Sequence, residues 1–223
     1  MQDTLPVYDI SWSPDGHKVA FTREYYDTGQ YSFRVVAYNT QTASQEILTP
    51  GQDDSFQPAW SPDGAWIAYL TRPRGGFGAT LRQIRPDGTG DHQLGTLAYY
   101  VRPPRWSPDG RQIAATRNDL MVVIVDATNG ALVDTIAPGM NPTWSRDGSR
   151  LAFVSNGLTI VSLDGSNSKA IPVTGYDPAW SPDGDWIAFD FGAGVYLISP
   201  AATDTLGMRF IAPYDRPAWR LKQ

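Results

Sequence analysis

The stretch YDISWSPDGHKVAF, from Tyr8 to Phe21, contains a turn that the chain writes again and again. WSPDG returns at Trp60, Trp106 and Trp180, and WSRDG stands at Trp144. Pro14 presets a turn backbone angle, Asp15 can accept from nearby backbone N–H groups, and Gly16 adopts positive φ without steric cost. The cluster is therefore a hairpin device. Where Arg146 replaces proline, Asp147 and Gly148 remain, so proline helps the turn without being required by it. A tryptophan just before each turn fits the end of an innermost strand, where a large ring fills the gap between neighbouring sheets.

Trp12, Trp60, Trp106, Trp144, Trp180 and Trp219 lie 48, 46, 38, 36 and 39 residues apart, the length of a β-propeller blade. Between Asn141 and Ile171 one unit reads NPTW, RLAFV, LTIVSL and SKAI, four short β-rich stretches with no amphipathic helix among them. After each turn comes VAF, IAY, IAA, LAF or IAF, at Val19, Ile67, Ile113, Leu151 and Ile187. A small alanine beside larger residues suits a strand with one face close to a neighbouring sheet and bulk on the other. Third strands follow as FRVVAY, TLRQIR, MVVIVD, LTIVSL and VYLIS, and weaker fourth strands as EIL, HQL, DTI, KAI and RFI. The pattern predicts an all-β chain, a β-propeller of four-stranded blades.

These residues resemble the TolB-like propeller repeat, whose hallmark runs Pro-x-Trp-Ser-Pro-Asp-Gly and, a few residues later, Ile-Ala-Phe. Pro58–Gly64, PPRWSPDG from Pro103, Pro142–Gly148 with its departure at Arg146, and Pro178–Gly184 carry it. The resemblance covers nearly the whole chain. It implies a propeller of about six or seven blades and a periplasmic or extracellular location, and it implies no reaction, because one fold hosts many functions.

The expected organisation is a single propeller domain over residues 1–223, with repeats at 8–56, 57–102, 103–140, 141–176 and 177–213 and end strands at 2–7 and 214–220. That makes five complete blades plus the inner and outer strands of an incomplete sixth, Arg216 to Arg220 and Gln2 to Leu5. The missing middle strands leave three solutions: a longer parent protein, closure by five blades, or a second chain in the gap. A six-position ring is preferred, and its open edges make self-association through the incomplete blade an expectation.

The 223 residues carry 18 Lys and Arg against 23 Asp and Glu, a net charge of -5, the wrong sign for gripping a phosphate backbone over a broad surface. Nucleic acid is therefore not an expected partner. No apolar run reaches the length of a spanning helix, so membrane insertion is not expected, and the opening MQDTLPVYDI lacks the pattern of a secretion signal. The absence of cysteine removes disulfides and thiolate chemistry.

Candidates for catalysis are sparse. His17 and His92 are read as solvated loop residues, and no nucleophile elbow, Walker loop or His-Glu-x-x-His motif is present. Asp15, Asp63, Asp109, Asp147 and Asp183 share one turn position and are read as structural. RPDGTGDH, from Arg85 to His92, is acidic and glycine-rich but lacks the ligand spacing of a calcium loop. No catalytic residue, metal or cofactor is assigned.

Binding is the better-supported class. With the WSPDG turns on a lower face, the residues three before each tryptophan ring the upper mouth of the channel: Asp9, Gln57, Pro103, Asn141, Asp177 and Arg216. Five of these six are polar and they vary from blade to blade. Two long upper loops, TREYYDTGQYS from Thr22 and TRPRGGFGAT from Thr71, concentrate Tyr25, Tyr26, Tyr31, Arg72, Arg74 and Phe77, and Tyr99, Tyr100 and Arg102 extend that chemistry before Trp106. The expected function is a non-catalytic scaffold binding a protein or peptide through this rim. The alternative is the propeller of a hydrolase or lyase, or the gating domain of a prolyl-oligopeptidase-like enzyme.

Overall fold

The structure, a computed structural model, describes residues 6–27, 29–76, 78–97, 102–173, 175–192, 194–202, 205 and 208–213. They form twenty strands in five antiparallel four-stranded sheets, each built from consecutive strands. Blade one holds β1 (Val7–Trp12), β2 (Lys18–Asp27), β3 (Gln30–Asn39) and β4 (Ser44–Ile47). Blade two holds β5 (Asp54–Trp60), β6 (Ile67–Arg72), β7 (Ala79–Ile84) and β8 (His92–Leu97). Blade three holds β9 (Arg105–Trp106), β10 (Gln112–Thr116), β11 (Met121–Asp126) and β12 (Leu132–Pro138). Blade four holds β13 (Met140–Trp144), β14 (Arg150–Val154), β15 (Leu158–Ser162) and β16 (Ser168–Ile171). Blade five holds β17 (Tyr176–Trp180), β18 (Ile187–Phe191), β19 (Gly194–Ile198) and β20 (Arg209–Pro213). The all-β propeller of four-stranded blades is thus present as expected. The segments assigned to a sixth blade, Gln2 to Leu5 and Arg216 to Arg220, lie outside the described residues.

The repeated turn depends on a residue whose chemistry the sequence pattern did not single out, its serine. The buried hydroxyl of Ser145 accepts the backbone N–H of Arg150 at 3.0 Å and donates to Asp147 Oδ1 at 2.6 Å. Asp147 in turn accepts the N–H of Ser149, and Gly148, at φ 70°, donates to the Ser145 carbonyl. The same circuit joins Ser13 to Asp15, Ser61 to Asp63, Ser107 to Asp109 and Ser181 to Asp183. The structural reading of these five aspartates holds.

The proline has a second task besides the turn. Pro14 Cδ lies 3.6 Å from where a Cβ on Gly64 would sit, Pro62 Cδ 3.7 Å from that point on Gly110, and Pro108 Cδ 3.6 Å from that on Gly148. Each proline therefore rests on the turn glycine of the next blade. Arg146 breaks this ladder: no atom approaches Gly184 in that way, and Arg146 Nη1 donates instead to the Pro182 carbonyl at 2.7 Å.

The core lies between blades, in four layers. Ala20 and Ile67 meet between blades one and two, Ala68 and Ile113 between two and three, Ala114 and Leu151 between three and four, and Ala152 and Ile187 between four and five. Successive residues of a strand point to opposite faces, so the large residue of each pair faces the preceding blade and the alanine faces the following one. Tryptophan ties the layers to the inner strands. Trp106 Nε1 donates to the Ala59 carbonyl at 3.0 Å, and Trp144 Nε1 to the Arg105 carbonyl at 2.9 Å, in each case the residue before the preceding blade's tryptophan. Trp60, Trp144 and Trp180 are 7–8% exposed, whereas Trp12, with no earlier blade beside it among the described residues, is 59% exposed. Val7 and Ile10 on β1, and Phe210 and Ile211 on β20, are also exposed, and Phe210 meets the Tyr196 ring at 5.5 Å.

Two measurements test this construction. Trp144→Ala or Trp180→Ala should destabilise by about 3–5 kcal/mol in urea unfolding, as expected for emptying a large aromatic core site, while Trp12→Ala should cost under about 1 kcal/mol. Equal losses at all three positions would remove the tryptophan from its role between blades. The second concerns acid. The Ser145 hydroxyl, then Ser149, pulls Asp147 from an ordinary 3.8 down to about 2, and the same serine bond lowers the other four turn aspartates. Groups depressed on folding stabilise above their unfolded pKa, and that stabilisation is lost as pH falls through the folded value. Melting temperature should therefore drop between about pH 4 and pH 2, with a shallower slope in Asp147→Asn. An identical slope in that variant would dissociate the turn from acid unfolding.

Candidate functional site

The inner strands run toward the WSPDG turns, so their starting residues and the β2–β3-type hairpins share the opposite, upper face. Asp9, Gln57, Asn141 and Asp177 occupy the same position on four inner strands, and all four are left-handed, at φ 53°, 57°, 58° and 49°. At each the pairing with the second strand slips, between Tyr8 and Ser11, Phe56 and Ala59, Met140 and Thr143, and Tyr176 and Ala179. Each is a β-bulge, a device that re-aims a side chain at the cost of local pairing. A left-handed non-glycine residue costs roughly 1–2 kcal/mol, least for Asn and Asp, and glutamine at Gln57 is the most strained choice of the four.

Blade three is the exception, and Pro103 accounts for it. Proline is locked near φ -65° and cannot enter the left-handed region. Among the described residues its inner strand accordingly pairs only at Arg105 and Trp106. Two of the bulges are satisfied from the preceding blade: Thr22 Oγ1 accepts the backbone N–H of Gln57 at 3.0 Å, and Thr116 Oγ1 that of Asn141 at 3.3 Å. The matching position is Leu70 ahead of Pro103, which has no N–H, and Val154 ahead of Asp177, which keeps its bulge without a hydroxyl.

The structure brings the sequence-derived residues into two groups. Across blades three to five, Arg102 Nη1 pairs with Asp177 Oδ2 at 2.7 Å, and Asn141 Nδ2 donates to Asp177 Oδ1 at 3.1 Å. Between blades one and two, Asp9, Gln57 and Arg72 line a cleft of about 310 Å³ together with Thr22 and the rings of Tyr8, Phe33 and Phe56. Thr22 Oγ1 lies 3.3 Å from Asp9 Oδ2. Arg72 is held by Asp54 at 3.0 Å, with its guanidinium 5.7 Å from the Phe56 ring centre. Asp54 is buried and also accepts the N–H of Phe33 at 3.3 Å, so one carboxylate fixes both the arginine and the backbone behind an aromatic wall. The Gln57 side-chain oxygen Oε1 is buried and has no hydrogen-bond partner among the described residues.

Other expectations need correction. TREYYDTGQYS is mostly strand: β2 and β3 pair through Tyr26↔Tyr31 to Asp27↔Gln30, because alternating β-formers continue the ladder past the length of the other blades. The Tyr26 and Tyr31 rings pack at 4.9 Å, tilted by 57°, on this exposed hairpin. Tyr25 instead lies beneath Arg34, 4.6 Å from its ring centre, and Arg74 donates to the Gly51 carbonyl; these two fasten the hairpin and a neighbouring loop. His92 is no loop residue either. It begins β8, half-buried edge-on against Trp66 at 5.3 Å, with Nδ1 2.8 Å from the Gly90 carbonyl. Phe77, Tyr99, Tyr100 and Arg216 lie outside the described residues. Tyr8, Phe33, Phe56 and Asp54 escaped the sequence reading, although the residue just before each bulge position was available as a repeat signal.

The five blades form a β-propeller, and its fold is that of the TolB-like propellers. The TolB structure from Acinetobacter baumannii superposes with a TM-score of 0.65 at 18% identity, over 87% of this chain and 52% of that one. The β-propeller domain of the trilobed protease from Pyrococcus furiosus gives a TM-score of 0.66 at 14% identity, over 91% and 70%. In sequence, the uncharacterized peptidase YuxL of Bacillus subtilis is 32% identical over 114 residues, half of this chain and 17% of that protein. The chain thus spans about a sixth of that relative's length. No protein-family model matches.

Substituting Gln57→Gly should leave thermal stability unchanged or raise it by up to about 1 kcal/mol, since glycine relieves the left-handed strain. A loss above about 2 kcal/mol would mean that the glutamine side chain holds the blades together and is not a displayed group.

Proposed function

We propose that the chain is a non-catalytic binding propeller that holds a protein or peptide partner on its upper face. The observation that carries this reading is the cleft of about 310 Å³, where three aromatic rings meet the polar groups of Asp9, Gln57 and Arg72. Clefts of this kind, mostly apolar with a few convergent polar groups, are the usual form of a recognition site. Exposed Tyr26 and Tyr31 on the blade-one hairpin, and Tyr176 at the start of β17 in blade five, add contact surface on the same upper face, and tyrosine supplies large contact area at low entropic cost. The TolB-like fold favours a periplasmic or extracellular setting for this role. Self-association through the open end faces is a further expectation, since Val7, Ile10 and Trp12 offer an apolar surface there.

A second reading rests on the 32% identity to YuxL, a protein named as a peptidase. In it, the blades are the propeller of a larger hydrolase and the upper mouth meets peptides on their way to another domain. The sequence flanking these blades in the gene separates the two, because a hydrolase domain there would favour the second.

The upper-face assignment is tested by affinity capture from the source cells. Tyr26→Ala, Tyr31→Ala and Tyr176→Ala combined should reduce partner recovery by about tenfold or more at unchanged melting temperature, while Lys18→Ala with Arg111→Ala on the lower face should not. Loss of the partner only in the lower-face variant would reverse the orientation.

A further inference from the structure

We propose that Asn156, at the tip of the β14–β15 hairpin, is a site of spontaneous chemical modification, where the Gly157 nitrogen closes on the Asn156 side chain, expels ammonia and leaves a carboxylate on the upper face. The inference concerns the chain's own chemistry and does not rest on the binding reading above.

An asparagine followed by glycine is the pair most open to this reaction, because glycine has no side chain to obstruct its own nitrogen. The chain holds two such pairs, Asn129–Gly130 and Asn156–Gly157. The fold places them in opposite states.

Asn129 and Gly130 lie in the turn between β11 and β12. Gly130 N–H donates to the Asp126 carbonyl at 2.8 Å, and Asn129 Oδ1 accepts the N–H of Ala131 at 2.8 Å. The Gly130 backbone also presses on blade two, where a Cβ would overlap the Leu94 carbonyl. Nucleophile and electrophile are both held, and neither swings toward the other without breaking these contacts.

Asn156 is exposed, and among the described residues neither its side chain nor the Gly157 N–H makes a hydrogen bond. The turn is closed instead by Ser155 N–H, which donates to the Gly157 carbonyl at 2.9 Å. Gly157 is not exchangeable, since a Cβ there would strike the Ile171 carbonyl of β16. Close packing against the fourth strand therefore keeps a glycine directly after an exposed asparagine.

The reaction needs only water and hydroxide. Gly157 N–H gives its proton to hydroxide, the nitrogen bonds to Asn156 Cγ, and the Cγ–Nδ2 bond breaks as ammonia leaves with a proton from water. Water then opens the cyclic imide, giving aspartate by attack at Cγ and isoaspartate by attack at the backbone carbonyl carbon. A bond to a carbonyl, such as Gly130 makes, retains the proton that must be lost. The neighbouring Ser155 lines an upper cleft of about 360 Å³ with Leu120, Met140 and Tyr176, and none of its lining residues is charged. The product thus brings a negative charge beside an uncharged cleft.

The test holds the folded protein at mildly alkaline pH for days and follows both Asn–Gly pairs by peptide mass spectrometry. Conversion at Asn156 should outpace that at Asn129 by about tenfold or more, because two hydrogen bonds must open before Gly130 can attack. In concentrated urea the two rates should converge, since both sites are then the same bare dipeptide. A native ratio near one, faster conversion at Asn129, no conversion at Asn156 while the urea-unfolded chain converts, or a difference that survives in urea would each overturn the proposal. Both sites are read in one unaltered chain, so no variant has to fold.

Discussion

The contact on which the rest depends is the packing of one blade on the next, where Trp60, Trp144 and Trp180 at the ends of inner strands are buried between sheets. At Trp106 and Trp144 the indole also reaches back to the carbonyl just before the preceding tryptophan, on Ala59 and Arg105. On the second strands alanine takes the forward face, while isoleucine or leucine fills the backward face. The buried serine beneath each tryptophan then fixes where the second strand begins, so the alanine of every blade arrives at the same height. Sheets that could not bury both faces alone obtain a core from their neighbours, as stacked repeats do.

That regular frame makes the strained upper mouth tolerable. Four left-handed bulges sit at the start of strands whose other ends are locked by turn, tryptophan and serine together. Backbone strain of this kind persists where surrounding structure over-determines it, and it gathers at positions with a task. The threonine hydroxyls of Thr22 and Thr116 satisfy the backbone N–H groups of Gln57 and Asn141 at two of these bulges, and the Asn141 side chain turns to Asp177.

The fold was nearly all legible because its signal is redundant: five turns, five alanine positions and tryptophans recurring every 36 to 48 residues report the same unit. Even the weak fourth strands fell where EIL, HQL, DTI, KAI and RFI placed them. The rim positions were legible for the same reason, since Asp9, Gln57, Asn141 and Asp177 could be counted back from tryptophan. What could not be counted was side-chain pairing across long separations. Arg102 meets Asp177 across 75 residues, and Asp54 supports both Phe33 and Arg72, contacts that no local period encodes. Composition marks Arg74 and Tyr25 as adhesive and does not encode the contacts they make within the chain, to the Gly51 carbonyl and beneath Arg34.

Pro103 has a consequence beyond the short strand it leaves behind. A ring made of near-identical blades presents an incoming chain with several almost equivalent ways to lie across its mouth, related by rotation from blade to blade. Such rotational degeneracy spreads a ligand over many poses. One blade that cannot turn a side chain upward, flanked by Arg102 reaching across to blade five, removes that equivalence. Among the five blades the proline is an index mark on a dial, setting blade three apart from the four that carry the left-handed bulge.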